Sequence, residues 1–310
     1  MTDAAISRVL VIKLGALGDF VLALGAFAAI RNAHEEAHVT LLTTAPYVEL
    51  ARASRYFDAV WTDQRPSFLQ PARWLSLRKR LRDGRFQRVY DLQTSDRSGW
   101  YFRLMGPDQP EWSGIAAGCS HPHANPRRDF MHSLERQAEQ LAHAGIADVP
   151  APDLSWARAD IARFKLPVRY VIVAPGGAAH RPEKRWPADR FVALARLIAA
   201  KGATPVVIGG NEENALAATI AAAVPGARNL AGATSLLELA TIARGAAGAV
   251  GNDTGPMHVA AVAGCPTLVL FSAASDPALT APRGPRVVVL ARPALSALSP
   301  PEVAAALELR

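Results

Sequence analysis

The stretch "RVLVIKLGALGDFVLALGAFAAI", residues 8–30, decides the fold. Its first seven residues form a short β-branched run of the kind that fills a buried strand. Gly15 and Gly18 then punctuate the chain, and apolar residues recur at helical spacing from about 19 to 33. A second strand-like run, "HVTLLTT", follows at 38–44. Strand, glycine turn, helix and strand in that order open a parallel sheet with crossover helices. One residue breaks the pattern. Asp19 stands where a dinucleotide-binding turn needs a third glycine for close approach of a phosphate. A carboxylate at a strand's carboxyl end and a helix start is suited instead to take a proton from a hydroxyl. The competing reading is an acid that only stabilises the helix start through its dipole. Lys13, just upstream in the strand, either pairs with Asp19 or steadies a nearby anion.

Outward from this stretch the alternation continues. A helix is expected near 46–53, a strand at 58–62, a basic helix within 73–88 and a strand at 88–93. An amphipathic helix is expected over 131–146, with Leu134, Ala138 and Leu141 on one face. Residues 147–168, rich in Pro, Ala and charge, read as a linker. The pattern then restarts, with strands at 170–175, 204–210, 248–252 and 267–271. Helices fall between them at about 187–201, 212–223, 235–244 and from 255. The ending "LSPPEVAAALELR" has a serine cap, prolines in the first turn and an apolar stripe. A last helix is therefore expected over 299–309, with a return onto the first domain as one packing option. The two runs imply an α/β chain of two Rossmann-like domains, 1–160 and 161–310. Ligands of such sheets bind at the carboxyl ends of the strands, so the expected site is a cleft that the two sheets face.

Composition supports a soluble protein with two cores: 310 residues, half of them apolar and 20% charged. Cys119 and Cys265 lie far apart and outside any CxxC or Cys/His spacing, so reduced thiols and no metal site are expected. Asp3 precedes the first apolar run and Lys13 follows it, which does not fit a secretory signal. The longest early apolar stretch is too short to span a bilayer. A cytoplasmic protein, at most touching a membrane surface, is the expectation. Charge is uneven. Residues 1–160 carry 19 Lys and Arg against 18 Asp and Glu, whereas residues 161–310 carry 15 against 9, so the second half better suits an anionic ligand. Within the first half, "RWLSLRKRLRDGRFQR" (73–88) holds seven basic residues and one acid. It is either a solvated helix face or a landing site for a phosphate-bearing partner such as lipid head groups or nucleic acid.

The second half carries the phosphate-binding signals. In "GAVGNDTGPMHVAAVAGCP" (248–266) a strand ends near Val250, and Asp253, Thr254 and Gly255 turn into a helix with Pro256 placed for its N1 position. The unpaired N–H groups and dipole of that helix start make an anion site. Thr254 adds a hydroxyl, Gly255 permits close approach, and His258 in the first turn is placed to donate to a phosphate oxygen. The alternative is a simple cap, with His258 on the surface. In "PGGAAHRPEKRWP" (175–187), Gly176 and Gly177 follow a strand and Lys184 precedes a helix. Lys184 is suited to neutralise a departing diphosphate, or the segment is a solvated loop with Trp186 in the core. In "GGNEEN" (209–214), Glu213 either meets ribose hydroxyls or serves the helix dipole.

Taken in order, these pieces resemble glycosyltransferase family 9, which includes the ADP-heptose:lipopolysaccharide heptosyltransferases. The likeness spans nearly the whole chain and rests on "VIKLGALGDFVLALGAFAAIR", "KRWP" at 184–187, "GG" with acids at 209–213, and "GNDTGPMHVAAVAGCP". "SAASDPALTAPRGP" (272–285) also matches the family's segment after the last strand of its nucleotide domain. The resemblance implies a GT-B architecture, with acceptor on the first domain, nucleotide-sugar on the second, and inverting transfer with no required metal or cofactor. It implies Asp19 as the catalytic base, Lys13 as its companion, and Gly15 and Gly18 beside the acceptor. It implies Lys184 on the donor diphosphate and Glu213 on the ribose. Gly176, Gly177, Asp253, Thr254, Gly255, Pro256 and His258 would surround the rest of the donor. The loop "GGAAHRP" (176–182) lacks the hydroxyls common at that family segment, which passes its contacts to His180 or Arg181.

The implied function is transfer of a heptose or similar sugar from an ADP-sugar to a lipopolysaccharide-core or related glycan acceptor. Segment 73–88 would then meet the inner membrane. A nucleotide-sugar epimerase of the same architecture and a non-catalytic nucleotide-sugar binder are the alternatives. Nucleic acid is disfavoured, because the basic block interleaves few aromatic residues.

Overall fold

A computed structural model describes residues 6–107, 109–178 and 180–310. Asp3, used above to exclude a secretory signal, lies outside them, as does Ala179 of the 176–182 loop. The chain divides into two compact units, Met1–Pro152 and Asp153–Arg310.

The first unit alternates strands and helices. Its strands are β1 (Arg8–Ile12), β2 (His38–Thr43), β3 (Ala59–Thr62), β4 (Arg88–Asp91), β5 (Glu111–Gly114) and β6 (His121–Pro122). Its helices are α1 (Leu17–Leu22), α2 (Leu24–Ala33), α3 (Val48–Ser54), α4 (Pro71–Asp83), α5 (Asp96–Leu104) and α6 (Ser133–Ala142). The second unit repeats the plan with β7 (Tyr170–Ala174), β8 (Thr204–Val207), β9 (Arg228–Asn229), β10 (Gly248–Asn252), β11 (Thr267–Phe271) and β12 (Val287–Ala291). Its helices are α7 (Ala188–Ala200), α8 (Asn214–Ala222), α9 (Leu236–Gly245), α10 (Gly255–Val262), α11 (Pro277–Thr280) and α12 (Pro300–Ala306).

Among the described residues each unit holds one six-stranded sheet, ordered β3-β2-β1-β4-β5-β6 and β12-β11-β10-β7-β8-β9. Every paired strand runs parallel. The two orders are the same when counted from the first strand of each unit, and both are the Rossmann order. The strand order therefore reverses between β1 and β4 in one unit and between β7 and β10 in the other. A sheet covered on both faces needs apolar residues throughout its central strands. Val9 to Ile12 and Val171 to Val173 are accordingly all fully buried. Burial of each such side chain contributes roughly 1.5–3 kcal/mol. Each unit has a core of its own, around Trp112 and Tyr101 in the first and around Trp186 and Phe191 in the second.

Several expectations are adjusted. The apolar segment at 19–33 is two helices, α1 and α2, broken at Ala23, and Gly25 of α2 lies so close to the chain at Pro150 that a Cβ would sit 2.0 Å from its carbonyl oxygen. The amphipathic helix is shorter than 131–146, because His132 caps it and its last turn ends at Ala142. The second unit starts at Asp153, ahead of the expected boundary at 160. The segment read as linker is docked: Leu154 and Ala157 are fully buried, and Arg244 donates to both of their carbonyls. The last helix is as expected in its serine cap, Ser299 Oγ accepting from the Glu302 N–H. Within its own unit it packs on α7, with Val303, Ala304 and Leu307 in the core. Cys119 and Cys265 are free and buried, and burial pushes the Cys265 thiol up to about 12.

Candidate functional site

Each unit places its candidate residues where its strand order reverses, the crevice in which open α/β sheets bind ligands. In the first unit β1 ends at Ile12 and Lys13 follows, 5% exposed, its Nζ donating to the Leu92 carbonyl at 3.0 Å. Burial lowers the Lys13 pKa, Arg136 adds to that, and the carboxylates of Asp19 and Asp91 oppose it. Gly15 adopts φ +127°, a value that L side chains avoid. A Cβ there would stand 2.9 Å from the ring and hydroxyl of Tyr47, which itself stacks on Phe20. The turn is thus pressed against Tyr47, and Gln93 fixes it by accepting from the Leu14 N–H at 2.8 Å. Asp19 follows in the first turn of α1, half-buried, with an oxygen 3.3 Å from the Ala16 N–H. Lys13, Gly15, Gly18 and Asp19 are therefore together at one switch point.

Two residues join this group without having been singled out in the sequence. Asp91, at the end of β4, is fully buried and accepts from the N–H groups of Gln93 and Thr94. Burial pushes its carboxyl up to about 6, against the opposing pull of Ser98, those two N–H groups and Lys13. Arg136 of α6 lies close enough to Asp19 and Lys13 to act on both charges. Asp19 is thus within electrostatic reach of both Lys13 and Arg136. A cavity of about 780 Å³ at the opposite ends of these strands, lined by His34, Gln87, Arg88 and Glu111, touches none of these residues.

In the second unit the organising residue is Asn252, fully buried at the end of β10. Its amide donates to the carbonyls of Pro175 and Gly176 at 2.8 and 3.1 Å, and its oxygen accepts from the Trp186 N–H at 3.0 Å. One side chain thereby ties the loop after β7 and the 184–186 segment to β10. Trp186 goes to the core, 2% exposed, with its indole N–H on the Leu298 carbonyl. Lys184 Nζ lies 2.8 Å from an oxygen of Asp253, and Ser275 Oγ donates to that same oxygen at 2.8 Å. Both side chains of the pair are mostly buried.

Thr254 is the extended N-cap residue of α10, Gly255 is its first helical residue, and Pro256 is therefore at N2 rather than the expected N1. Pro256 still removes an N–H that no helical carbonyl would meet. His258 is buried, 5% exposed, which corrects its surface alternative. Glu213 caps the turn at Gly210, accepting from its N–H at 2.7 Å. It also packs under the β7 loop: a Cβ on Gly176 would lie 2.9 Å from Glu213 Cγ, and one on Gly209 2.8 Å from Glu213 Cβ. Gly176, Gly209 and Glu213 thus form one close-packed corner. The carbonyl of Gly177 accepts from Arg185, and His180 and Arg181 are exposed. Among the described residues no three His, Cys, Asp or Glu side chains are grouped so as to hold a metal ion.

The unit-2 arrangement can hold an anion at the start of the eight-residue helix α10, beside the Thr254 hydroxyl and a lysine whose charge is shared with one acid, while the Glu213 carboxylate at the adjacent corner is an acceptor for hydroxyls. The unit-1 arrangement can take a proton. Comparison with known proteins places the chain among glycosyltransferases. The model of glycosyltransferase family 9 (heptosyltransferase) matches residues 74–300. Lipopolysaccharide heptosyltransferase 2 of Escherichia coli strain K12 is 25% identical over 300 residues, 89% of this chain and 85% of that protein. The crystal structure of the glycosyl transferase family 9 from Veillonella parvula DSM 2008 superposes with a TM-score of 0.82 at 20% identity, covering 97% of this chain and 96% of that one. E. coli heptosyltransferase WaaC with ADP superposes with a TM-score of 0.75 at 21% identity, covering 96% and 97%.

Proposed function

The chain belongs to glycosyltransferase family 9, and from that premise we propose that it moves a heptose-like sugar from an ADP-sugar to a lipopolysaccharide-core or related glycan hydroxyl, with inversion. The observation that carries the reading is the contrast between the two switch points. One presents a half-exposed carboxylate, Asp19, and the other presents a lysine and a helix start.

In the proposed reaction Asp19 accepts the proton of the acceptor hydroxyl as its oxygen attacks the anomeric carbon of the donor. The bond from that carbon to the diphosphate breaks, and its electron pair leaves on the phosphate oxygen. Lys184 and the N–H groups at the start of α10 stabilise that growing charge. Lys184 starts from its pair with Asp253, so a diphosphate would share the lysine with an acid already holding it in place. Glu213, fixed by the Gly210 N–H, offers its other oxygen to ribose hydroxyls. Lys13 and Arg136 hold the Asp19 carboxylate in a cationic setting. The donor's adenine nucleotide is suggested by the ADP bound to WaaC. A reaction fed by nucleotide-sugars would run in the cytoplasm. Since lysine and helix dipole supply the positive charge, no metal or further cofactor is required by this scheme.

The test is a calorimetric titration with ADP-, UDP-, GDP- and dTDP-sugars, joined to a transfer assay that follows release of the nucleoside diphosphate. Preferential binding of an ADP-sugar, with turnover only when a glycan acceptor is present, is expected. Conversion of the donor with no acceptor would favour the epimerase alternative, and binding without turnover would favour the non-catalytic one.

A further inference from the structure

We propose that the surface made by α4, the segment before it and α5 docks on an anionic lipid bilayer. Phe68, Leu69, Leu75 and Trp100 are 81%, 92%, 62% and 46% exposed. Three of them, with Pro71, Trp74 and Leu104, line an open apolar hollow of about 450 Å³. Leu69 adjoins Phe68 in the chain, and Ile115, 38% exposed, lies with Trp100 on a neighbouring hollow. A contiguous apolar surface of this kind on a soluble fold marks a contact.

The charges around it name the occupant. Arg78 lines the hollow itself. Arg97 and Arg103 lie over the rings of Trp74 and Trp100, at 5.7 and 4.8 Å. Ring faces hold these cations without neutralising them. Among the described residues Arg73 and Arg78 make no ion pair, whereas Lys79 is matched by Asp83 and Arg88 by Glu111. The surface therefore combines protruding Leu and Phe tips, interfacial Trp rings and uncompensated arginines, the combination that seats a protein in the head-group layer of an anionic membrane.

The placement also has a use. α5, which carries Trp100, starts from the loop that follows β4, and that same loop supplies the Leu92 carbonyl to Lys13 and the Gln93 side chain to Leu14. Docking through α4 and α5 would bring that loop to a lipid-borne acceptor. The docking itself does not depend on which sugar is transferred.

The experiment is co-sedimentation with vesicles of phosphatidylcholine alone or with added phosphatidylglycerol. Binding to the mixed vesicles, falling as salt rises, is expected, with little binding to phosphatidylcholine alone. Leu69→Ser with Leu75→Ser should lower the partition coefficient about tenfold. Arg73→Gln with Arg78→Gln should lower it by a similar factor at low salt and less at high salt. All four positions are solvent-exposed, and unchanged thermal melting of each variant reports an intact fold. Absence of wild-type binding to the mixed vesicles, or equal binding by the Leu variant, overturns the proposal. So does a wild-type dimer that the Leu variant loses while neither protein sediments with lipid, which would make a second copy the occupant.

Discussion

Lys184 and Asp253 form a 2.8 Å ion pair across two segments that are 69 residues apart in sequence. Their side chains are 14% and 9% exposed, so neither charge is well solvated on its own. Removing one partner of such a pair leaves the other buried and uncompensated, at a cost of about 3 kcal/mol. Lys184→Met or Asp253→Leu alone should therefore lower the unfolding free energy by about that amount, and the double variant should recover part of it. Urea melts of all four proteins in a double-mutant cycle check this. If the lysine also holds the departing diphosphate, the double variant regains stability without regaining turnover.

Asp19→Asn keeps the acceptor oxygen for the Ala16 N–H, so the fold should be unaffected. Its loss as a base should cost about 10²–10⁴ in turnover. Donor affinity, measured by calorimetry, should not change, since the groups proposed to bind the donor lie in the other unit. Retained turnover would remove Asp19 from the chemistry.

Asp91 gives a pH signature. Its folded pKa, raised by burial to about 6, lies above the unfolded value near 3.8. The folded state then holds the proton more tightly, so its contribution is fully present below about pH 4 and is lost as pH rises through 6. The span corresponds to roughly 3 kcal/mol. Asp91→Asn stays neutral and keeps an oxygen for Gln93 and Thr94. Relative to wild type it should gain stability between pH 4 and pH 7, which chemical denaturation across that range will show.

Gly176→Ala places a methyl 2.9 Å from Glu213 Cγ, and the glutamate must move. If Glu213 meets the ribose, donor KM should rise about tenfold, the worth of one displaced hydrogen bond to a charged group, with little change in kcat. Glu213→Ala should reproduce the KM effect without the clash. A normal KM in both variants would leave Glu213 as a turn cap.

Treatment with EDTA should leave the rate unchanged, because Lys184 and the start of α10 are the proposed source of positive charge. A rate restored only by added Mg²⁺ would contradict that assignment.

Much of this was legible in the sequence. The buried runs before Lys13 and Pro175 have the β-branched character of central parallel strands, and they announce both sheets. The glycine turns locate the ends where side chains of the site gather. What escaped notice lacks a periodic or compositional signature. β6 and β9 are two residues each, too short for any alternation to register. Asn252 is one polar residue at a strand end, and its importance comes from partners 66 and 77 residues away in sequence. Arg136 looks like any helix-surface cation until α6 is packed beside α1. Asp91 did carry a signal, a charge inside the strand-like run "RVYDLQ", where a carboxylate has to be buried.

The shared strand order of the two units means that one scaffold is used twice, with a different chemistry written onto the loops of each copy. Because each copy seals its own apolar interior, loop changes in one half do not disturb the other. On the proposed assignment, preference for the sugar given and preference for the sugar received would drift apart separately, and recombination near Pro152 would be a route by which one half acquires a new counterpart.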